Sequence, residues 1–328
     1  MILNKKINCN PLVSFIIVAY NSKDTIINCL EAIKNQSIKN FEVIIFDNAS
    51  SDDTICLIKN FVNNFWGNVI LIESKKNIGF ASANNKGALA AKGKWLIFLN
   101  PDAFPEKTYL YELLLASQQY KSFDFFASCQ IQFRNKDILD GTGDIYFTNG
   151  AAKRRNFLTP LKLGNTKNEE IFGSCGASFF INRRAFFDVE GFDEDYFCYF
   201  EDVDLSLRLR LAGYKCMYIA NAIVYHVGGS ASGGEESDFT IYYGYRNLVW
   251  TFFKSMPLKL MIKYLLSHIM LNIRQIIGFY RRGKKKPILK AKIDGFLYLW
   301  KIIFIKRPKV QKKNRISAKN LNNILTKP

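Results

Sequence analysis

Residues 13–20 read VSFIIVAY and residues 41–47 read FEVIIFD, and these two apolar runs decide the fold. Two similar runs follow, NVILIES at 68–74 and KWLIFL at 94–99. Strands that are apolar along their whole length are typical of a parallel sheet covered by helices on both faces. The segments between the runs have helical periodicity, at 25–35, 54–64 and 81–91. The order βαβα predicts a three-layer α/β domain with a mostly parallel sheet.

The composition is that of a folded protein. The 328 residues are 48% hydrophobic, which is enough for a substantial core, and the length predicts about two domains. The seven cysteines include no C-x-x-C pair, so neither a disulfide framework nor a zinc site is predicted. The first twenty residues lack the apolar core and cleavage site of a signal peptide. Together these features predict a cytoplasmic protein.

The net charge of +18 is concentrated towards the C-terminus, because residues 251–328 are rich in Lys and Arg and contain one acid, Asp294. A basic region can meet nucleic acid, anionic lipid or an acidic partner, and charge alone does not choose among them. The sequence divides into an α/β domain over 1–250, a basic amphipathic helical extension over 251–306 and a tail over 307–328. The polar composition of the tail predicts disorder.

A helical wheel of the extension shows one basic stripe within about 80°. The stripe consists of Lys259, Lys263, Ser267, Arg274 and Arg281. No apolar run reaches the ~20 residues of a spanning helix. The pattern predicts peripheral attachment to the anionic inner face of the cell membrane, helped by the run RRGKKK at 281–286. Packing of this helix on the domain is the alternative, and the sequence leaves it open.

Polar residues stand where the predicted strands end, which is where parallel sheets bind their ligands. The turns read Tyr20-Asn21-Ser22 after the first strand, Asp47-Asn48-Ala49-Ser50 after the second, Asn77-Ile78-Gly79-Phe80 after the third, and Asn100-Pro101-Asp102 after the fourth. Two carboxylates, Asp47 and Asp102, are therefore expected to project into one crevice.

Each of these carboxylates has a chemical interpretation. Asp47 precedes the residues that cap the next helix, and it can accept a hydrogen bond from a nucleobase imide N–H. Asp52 is expected to cap that helix. Asp102 can bind Mg²⁺ or Mn²⁺ that bridges a diphosphate. The alternative for Asp102 is an ordinary cap of a helix that begins at Pro105.

A second group of titratable residues follows an aromatic stretch. Glu201, Asp202 and Asp204 begin a predicted helix, where the macrodipole favours acids. Three acids in four positions exceed what capping needs, and aromatic neighbours can raise the pKa of one of them towards that of a general base. His226 ends a predicted pair of short strands and precedes a glycine-rich loop. It is either an ordinary histidine or a metal ligand beside Asp102.

With these segments in order, the chain resembles the family 2 glycosyltransferases, inverting enzymes of the GT-A fold, and among them the rhamnosyltransferase-like branch. The resemblance covers about residues 12–250. The segments that carry it are SFIIVAYNS, FDNASSDDT, NIGFASANNKGALAAKG, FLNPDAF, GASFFINRRAFFDVEGFDEDYF, YFEDVDLSLRLRLAGYK and YHVGGSAS.

The resemblance implies a role for each candidate residue. The donor would be bound by Ala19, Tyr20, Asp47, Asn77, Gly79, Asn100 and Arg246. Asp102 and His226 would hold Mg²⁺ or Mn²⁺, although Asn100 replaces the first acid of the family's D-x-D element. Gly176 and Ala177 would lie on the acceptor side. Asp202 would take the proton from the acceptor hydroxyl, beside Glu201.

The resemblance also implies the partners. The leading donor is dTDP-L-rhamnose, and UDP-hexose or UDP-N-acetylhexosamine is the alternative. The acceptor would be a saccharide or lipid-linked saccharide of a bacterial surface polysaccharide or glycolipid. A nucleotide-dependent oxidoreductase is excluded because no G-x-G-x-x-G follows the first strand. Two functions from other classes stay open: a basic nucleic-acid-binding protein, which is disfavoured, and a non-catalytic sugar-nucleotide-binding protein.

Overall fold

The computed structural model describes residues 2–5, 10–64, 68–164, 167–228 and 236–328. The strands in these ranges are β1 (Ile2–Lys5), β2 (Val13–Ala19), β3 (Phe41–Asp47), β4 (Asn68–Glu73), β5 (Trp95–Leu99), β6 (Ala103–Pro105), β7 (Phe125–Gln132), β8 (Leu139–Gly141), β9 (Asp144–Tyr146), β10 (Ala152–Arg154), β11 (Glu169–Ile171), β12 (Ser178–Asn182) and β13 (Cys216–His226).

The helices of the same ranges are α1 (Ile26–Lys34), α2 (Thr54–Asn64), α3 (Phe80–Ala90), α4 (Tyr109–Gln119), α5 (Leu161–Gly164), α6 (Arg183–Asp188), α7 (Glu201–Leu211), α8 (Asp238–Ser255), α9 (Leu258–Arg281), α10 (Lys285–Leu297), α11 (Leu299–Lys301), α12 (Arg307–Lys312) and α13 (Ala318–Ile324). A 3₁₀ turn covers Glu194–Tyr196, and a π turn covers Ile302–Lys306.

Eleven of the described strands form one sheet, in the order β1-β4-β3-β2-β5-β12-β7-β13-β11, with β6 on β13 and β8 on β7. The four strands β2 to β5 are parallel, and β13 is parallel to β7. Strand β12 runs antiparallel between β5 and β7. The predicted α/β fold with a mostly parallel sheet is therefore confirmed.

Alternation along β2 explains why both faces of the sheet are covered. Phe15 and Ile17 are buried in one apolar cluster with residues of α1 and α2. Ile16 lies in the opposite cluster with Ala81 and Ala88 of α3. Successive side chains of a strand point to opposite faces, so a strand that is apolar throughout needs helices on both.

Two details after the parallel strands differ from the sequence-based expectation. Asp102 is followed by strand β6, not by a helix from Pro105, because β6 pairs with the end of β13. The segment before His226 is one strand, β13, and not two short strands. A register shift between Ile219 and Ile223 interrupts its pairing with β7, which accounts for the break in the sequence pattern.

The C-terminal helices pack against the domain. The predicted boundary near residue 250 falls inside α8, whose residues Val249 and Phe252 are buried. Helix α9 buries Leu260 and Phe279, so part of it packs on its neighbours. None of the helices in the described ranges combines the length and the hydropathy needed to cross a bilayer.

The expectation of a disordered tail over 307–328 is wrong, because this segment contains α12 and α13. The Ser317 side chain accepts a hydrogen bond from Asn320 N–H and caps α13. Leu321 and Leu325 are buried in an apolar cluster with Phe252. Composition averaged over the segment conceals these few apolar side chains, which dock the tail.

Candidate active site

The first carboxylate lies where β3 ends. Asp47 is buried, and its Oδ2 accepts a hydrogen bond from Ser50 N–H at 3.2 Å. Its Oδ1 is buried and has no hydrogen-bond partner in the described ranges. Asn48 N–H donates to the carbonyl of Ala19 at 2.8 Å, which joins the ends of β2 and β3. The side chain of Asp52 accepts from the N–H of Thr54, the first residue of α2, at 3.1 Å, but the carbonyl of Asp53 accepts the first helical hydrogen bond, so Asp52 precedes the N-cap position. Asp47 is thus left with a free acceptor.

The loop after β4 is shaped by two asparagines and a glycine. Asn48 Nδ2 donates to Asn77 Oδ1 at 2.9 Å, and the same oxygen accepts from Gly79 N–H at 2.9 Å. Gly79 has φ +84°, and a Cβ there would lie 2.6 Å from the Phe197 ring. Both constraints require glycine. Asn77 and Gly79 therefore shape this loop, and their contact with a donor stays a prediction.

The turn from β5 to β6 carries the second carboxylate. Asn100 N–H donates to the Ala177 carbonyl at 3.0 Å, and Asn100 Oδ1 is buried without a partner in the described ranges. Asp102 is buried. The pairing of β6 with β13 sets Ala103 opposite His226, which brings the histidine beside Asp102.

His226 lies between two carboxylates. Its Nε2 is 3.3 Å from Asp102 Oδ1, and its Nδ1 is 2.8 Å from Asp140 Oδ2. Arg154 Nη1 donates to the same Asp140 oxygen at 2.7 Å. Burial lowers the pKa of His226, but hydrogen bonds and charges from Asp102 and Asp140 raise it to about 9. Burial raises the pKa of Asp140, but His226 and Arg154 outweigh it and the net shift is downward. This environment favours a positive charge.

Asp102 and His226 fit two ligands of one small divalent cation. Two adjacent ligands of an octahedral Mg²⁺ lie about 3 Å apart, close to the 3.3 Å between Asp102 Oδ1 and His226 Nε2. A carboxylate and an imidazole suit Mn²⁺ as well. No cluster of three or more His, Cys, Asp or Glu able to hold a metal occurs among the described residues. The remaining ligands would have to come from a substrate or water.

The proposed base stands at the start of α7. Asp202 Oδ2 accepts from Gly176 N–H at 2.7 Å, and Oδ1 accepts from Val203 N–H at 2.8 Å. Burial raises the pKa of Asp202, and these backbone hydrogen bonds oppose the rise. A Cβ on Gly176 would lie 3.1 Å from Asp202 Oδ2, so the glycine lets the strand approach the carboxylate. The structure brings Gly176 and Asp202 together, and the roles of Asp202, Gly176 and Ala177 in the reaction stay predictions.

The neighbouring acids differ from Asp202. Glu201 is buried with its Oε2 unpartnered among the described residues, and burial followed by the charge of Asp202 raises its pKa well above the usual range. Asp204 is fully buried between Arg208 Nε at 2.7 Å and Lys254 Nζ at 2.8 Å. Asp204 is therefore committed to a structural ion-pair network.

Arg246 has several partners within the protein. Its Nη2 donates to the carbonyls of Asp195 and Tyr196 at 3.0 Å each, and its guanidinium stacks on Trp250. These carbonyls belong to the loop that leads to α7. In this structure Arg246 supports that loop, and its contact with a donor stays a prediction. The glycine-rich loop after Gly228 lies outside the described residues from 229 to 235.

Sequence reasoning missed three residues that the structure brings to the site. Asp140 and Arg154 flank His226, and Asp144 is a fully buried acid whose pKa is raised by burial and by the charge of Asp202. All three lie in a segment read only as glycine-punctuated strands. In the sequence, the acids on either side of the G-T-G at 141–143 were the feature that could have indicated these residues. No local pattern links Asp140 to His226, which lies 86 residues further along the chain.

Comparison with known proteins places this geometry in context. Residues 14–189 match the model described as "Glycosyl transferase family 2". Rhamnosyltransferase WbbL of Escherichia coli (strain K12) is 28% identical over 225 residues, 63% of this chain and 80% of that protein. Amylovoran biosynthesis glycosyltransferase AmsB of Erwinia amylovora is 29% identical over 250 residues, 70% of this chain and 75% of that protein.

The fold has solved relatives. The structure of GalNAc-T7 with UDP, GalNAc and Mn²⁺ aligns with a TM-score of 0.65 at 16% identity. The alignment covers 90% of this chain and 56% of the GalNAc-T7 chain. At this identity the likeness concerns the fold alone.

Proposed function

Since this chain belongs to glycosyl transferase family 2, we propose that it moves a sugar from a nucleoside-diphosphate donor to an acceptor hydroxyl, with inversion. The relatives whose names mention a rhamnosyltransferase and amylovoran biosynthesis favour a role in assembling a bacterial surface polysaccharide or glycolipid.

One observation carries the proposal. Gly176 and Ala177 are adjacent, and they join the two chemical centres. Gly176 N–H holds the carboxylate of Asp202 at 2.7 Å, while the carbonyl of Ala177 accepts from Asn100 N–H at 3.0 Å. A base and the turn that bears Asp102 thus stand on either side of a two-residue segment. This arrangement suits an inverting transfer, in which the base and the leaving diphosphate act on opposite faces of the anomeric carbon.

Each residue has a defined task in this proposal. Asp202 accepts the proton of the acceptor hydroxyl. Its two backbone hydrogen bonds stabilise the ionised carboxylate, so Asp202 ionises in preference to Glu201. Asp102 and His226 would hold the divalent cation. When bound, Mg²⁺ or Mn²⁺ neutralises the negative charge that develops on the leaving group. Asp47 Oδ1 accepts the imide N–H of the donor base.

Different observations support the nucleobase and the sugar of the donor. A free buried acceptor at Asp47 suits uracil and thymine equally, since both present an imide N–H. L-Rhamnose on dTDP is the leading donor because of the rhamnosyltransferase relative, and UDP-hexose or UDP-N-acetylhexosamine is the alternative.

A donor screen tests the function. The full chain is incubated with Mn²⁺ and each of dTDP-L-rhamnose, UDP-glucose, UDP-galactose and UDP-N-acetylglucosamine, and the released nucleoside diphosphate is measured. We expect one donor to be hydrolysed, with loss of the activity in Asp202→Asn. Donor binding without turnover would support the non-catalytic alternative. Salt-sensitive DNA binding without donor binding would support the nucleic-acid alternative.

The C-terminal helices support a second proposal, that the enzyme sits on an anionic membrane surface. One face of α9 is apolar and solvent-exposed. It consists of Leu258, Ile262, Leu266, Ile269, Met270, Ile273, Ile277 and Tyr280. The segment after α9 also exposes apolar side chains, those of Ile293, Phe296, Leu297, Tyr298, Trp300, Phe304 and Ile305. A concentration of exposed apolar side chains of this kind marks a protein or membrane contact.

The cations beside this apolar face favour an anionic membrane as its partner. At 100° per residue, the exposed apolar residues of α9 fall within a sector of about 120°, and Lys259, Lys263, Arg274 and Arg281 lie along one edge of it. All four are exposed. Buried Leu260 and Phe279 face the protein on the other side. An apolar face bordered by cations fits a helix lying in the plane of an anionic bilayer. Packing on the protein accounts for one side of α9, and we propose membrane attachment for the other.

Vesicle flotation tests this attachment and bears on a lipid-linked acceptor. We expect the full chain to float with vesicles that contain phosphatidylglycerol and much less with vesicles of phosphatidylcholine alone, and to detach in high salt. Equal flotation with both vesicle types would contradict the role of the basic edge, and no flotation with either would contradict the membrane surface.

A further inference from the structure

Asp140 lies behind His226 and carries no role in the proposed chemistry. It is buried in the middle of β8, which pairs with β7. Its Oδ2 is 2.8 Å from His226 Nδ1 and 2.7 Å from Arg154 Nη1. Strands β13 and β10 supply these two partners, so three separate elements converge on one carboxylate oxygen.

The chemistry of a carboxylate decides the state of the histidine. An ionised carboxylate only accepts hydrogen bonds, so the imidazole nitrogen that faces it must carry a proton. A proton on Nδ1 leaves the lone pair of the neutral ring on Nε2. Nε2 is the nitrogen that lies 3.3 Å from Asp102 Oδ1. Without a cation both ring nitrogens face carboxylates and both carry protons. A cation beside Asp102 would displace the proton on Nε2 and leave the one that faces Asp140 on Nδ1.

Arg154 keeps Asp140 in this position. Its guanidinium donates to Asp140 and stacks on Phe157, with 4.0 Å from Cζ to the ring centroid. Asp140 therefore has a fixed cationic partner on one side and the histidine on the other. A carboxylate that accepts a hydrogen bond from a ligating histidine fixes the orientation of that ring.

We propose that Asp140 is a positioning residue that fixes the Nδ1–H tautomer of His226, so that Nε2 is available to bind the divalent cation beside Asp102. This inference depends on the proposed metal site. It adds a residue outside the ligand set and specifies which histidine nitrogen binds.

The test measures metal binding directly, without turnover. Mn²⁺ affinity is followed by the loss of the free-ion electron paramagnetic resonance signal, in the presence of UDP or dTDP. In Asp140→Asn the amide can donate to Nδ1 and move the ring proton to Nε2. We expect Mn²⁺ affinity to fall about 10- to 100-fold, while Asp137→Asn, an exposed acid of the same segment, leaves it unchanged.

A double variant separates positioning from a general structural effect. If Asp140 acts through His226, Asp140→Asn should not weaken Mn²⁺ binding further in a His226→Ala background. An additive loss would overturn the inference, as would unchanged affinity in Asp140→Asn alone. Wild-type protein that binds no Mn²⁺ with either nucleotide would overturn the metal site itself, and the inference with it.

A spectroscopic measurement on the wild-type protein avoids the question of variant folding. The chain has only two histidines, His226 and His268, so imidazole ¹⁵N spectra are readily assigned. With Mg²⁺ and nucleotide bound, we expect His226 to carry its proton on Nδ1. A protonated Nε2 under these conditions would refute the positioning role.

Discussion

The exposed apolar face of α9 and the π turn makes a quantitative prediction about membrane binding. Leu266 on α9 is 72% exposed, and Phe304 in the π turn is 75% exposed. Burying a whole Leu or Phe side chain contributes roughly 1.5–3 kcal/mol. Transfer of the exposed three quarters to the bilayer then contributes about 1–2 kcal/mol for each residue. Replacement of either by Gln should lower the partition coefficient about 5- to 30-fold, and both together about 30- to 1000-fold.

The assay compares variants by flotation with phosphatidylglycerol-containing vesicles over a range of lipid concentrations. Leu89→Gln is the matched control, because Leu89 is 71% exposed but lies on α3 in the α/β domain. We expect Leu266→Gln and Phe304→Gln to lose binding while Leu89→Gln retains it. All three side chains are mostly exposed, so the free energy of unfolding should change little. Equal binding by Leu266→Gln and Leu89→Gln would refute the assignment of this face to the membrane.

Three other predictions concern the active site and the protein interior. Asp202→Asn should lower turnover about 10²- to 10⁴-fold with little change in donor affinity, and Glu201→Gln should cost less; the reverse order in steady-state kinetics would reassign the base. Asp204→Asn should instead lower the free energy of unfolding, by about 3–5 kcal/mol, because it breaks a buried ion pair with Arg208 and Lys254; chemical denaturation checks this, and an unchanged midpoint would contradict it. Burial lowers the pKa of Lys292 to about 7. Between pH 7 and the ordinary lysine pKa near 10, Lys292 is protonated in the unfolded chain and mostly neutral in the folded protein. The free energy of unfolding therefore rises with pH. From pH 7 to pH 9 the wild type should gain about 2 kcal/mol relative to Lys292→Met; a pH-independent difference in unfolding free energy would contradict this.

The sequence predicts the parallel half of the fold well, because local signals there agree with the tertiary structure. Each of β2 to β5 is apolar on both faces and is followed by a polar turn, and the predicted helices begin within a few residues of the observed ones. Asp47 and Asp102 could be selected because a strand end fixes their place. Their environment could not be read from the sequence.

The missed features all depend on contacts between distant segments. Asp102 precedes β6 and not a helix only because β13 offers a partner strand. Asp140 meets His226 only after β8 and β13 join β7 on either side. The tail folds because Leu321 finds an apolar cluster formed by other helices. Periodicity within one segment carries no information on any of these contacts.

The loop before α7 is held in place by hydrogen bonds from helix α8. Phe197, Tyr199 and Phe200 all have φ between +65° and +70°. Such conformations of bulky residues cost of order 1–3 kcal/mol each, so the surrounding structure must hold them. Asn247 Nδ2 lies 2.7 Å from the carbonyl of Tyr199 and 3.0 Å from those of Tyr196 and Cys198. Arg246, its neighbour in α8, also donates to this loop.

These contacts explain why a helix near the predicted domain boundary matters to the base. The loop held by Asn247 ends at Phe200, and Glu201 and Asp202 follow immediately at the start of α7. The direction of the Asp202 carboxylate is therefore set at both ends, by Gly176 N–H on the strand side and by α8 through the loop. Because α8 also packs on α10, the helices that present the exposed apolar face are continuous with the support of the base. The face proposed to contact the membrane and the carboxylate proposed as the base are thus parts of one packed unit.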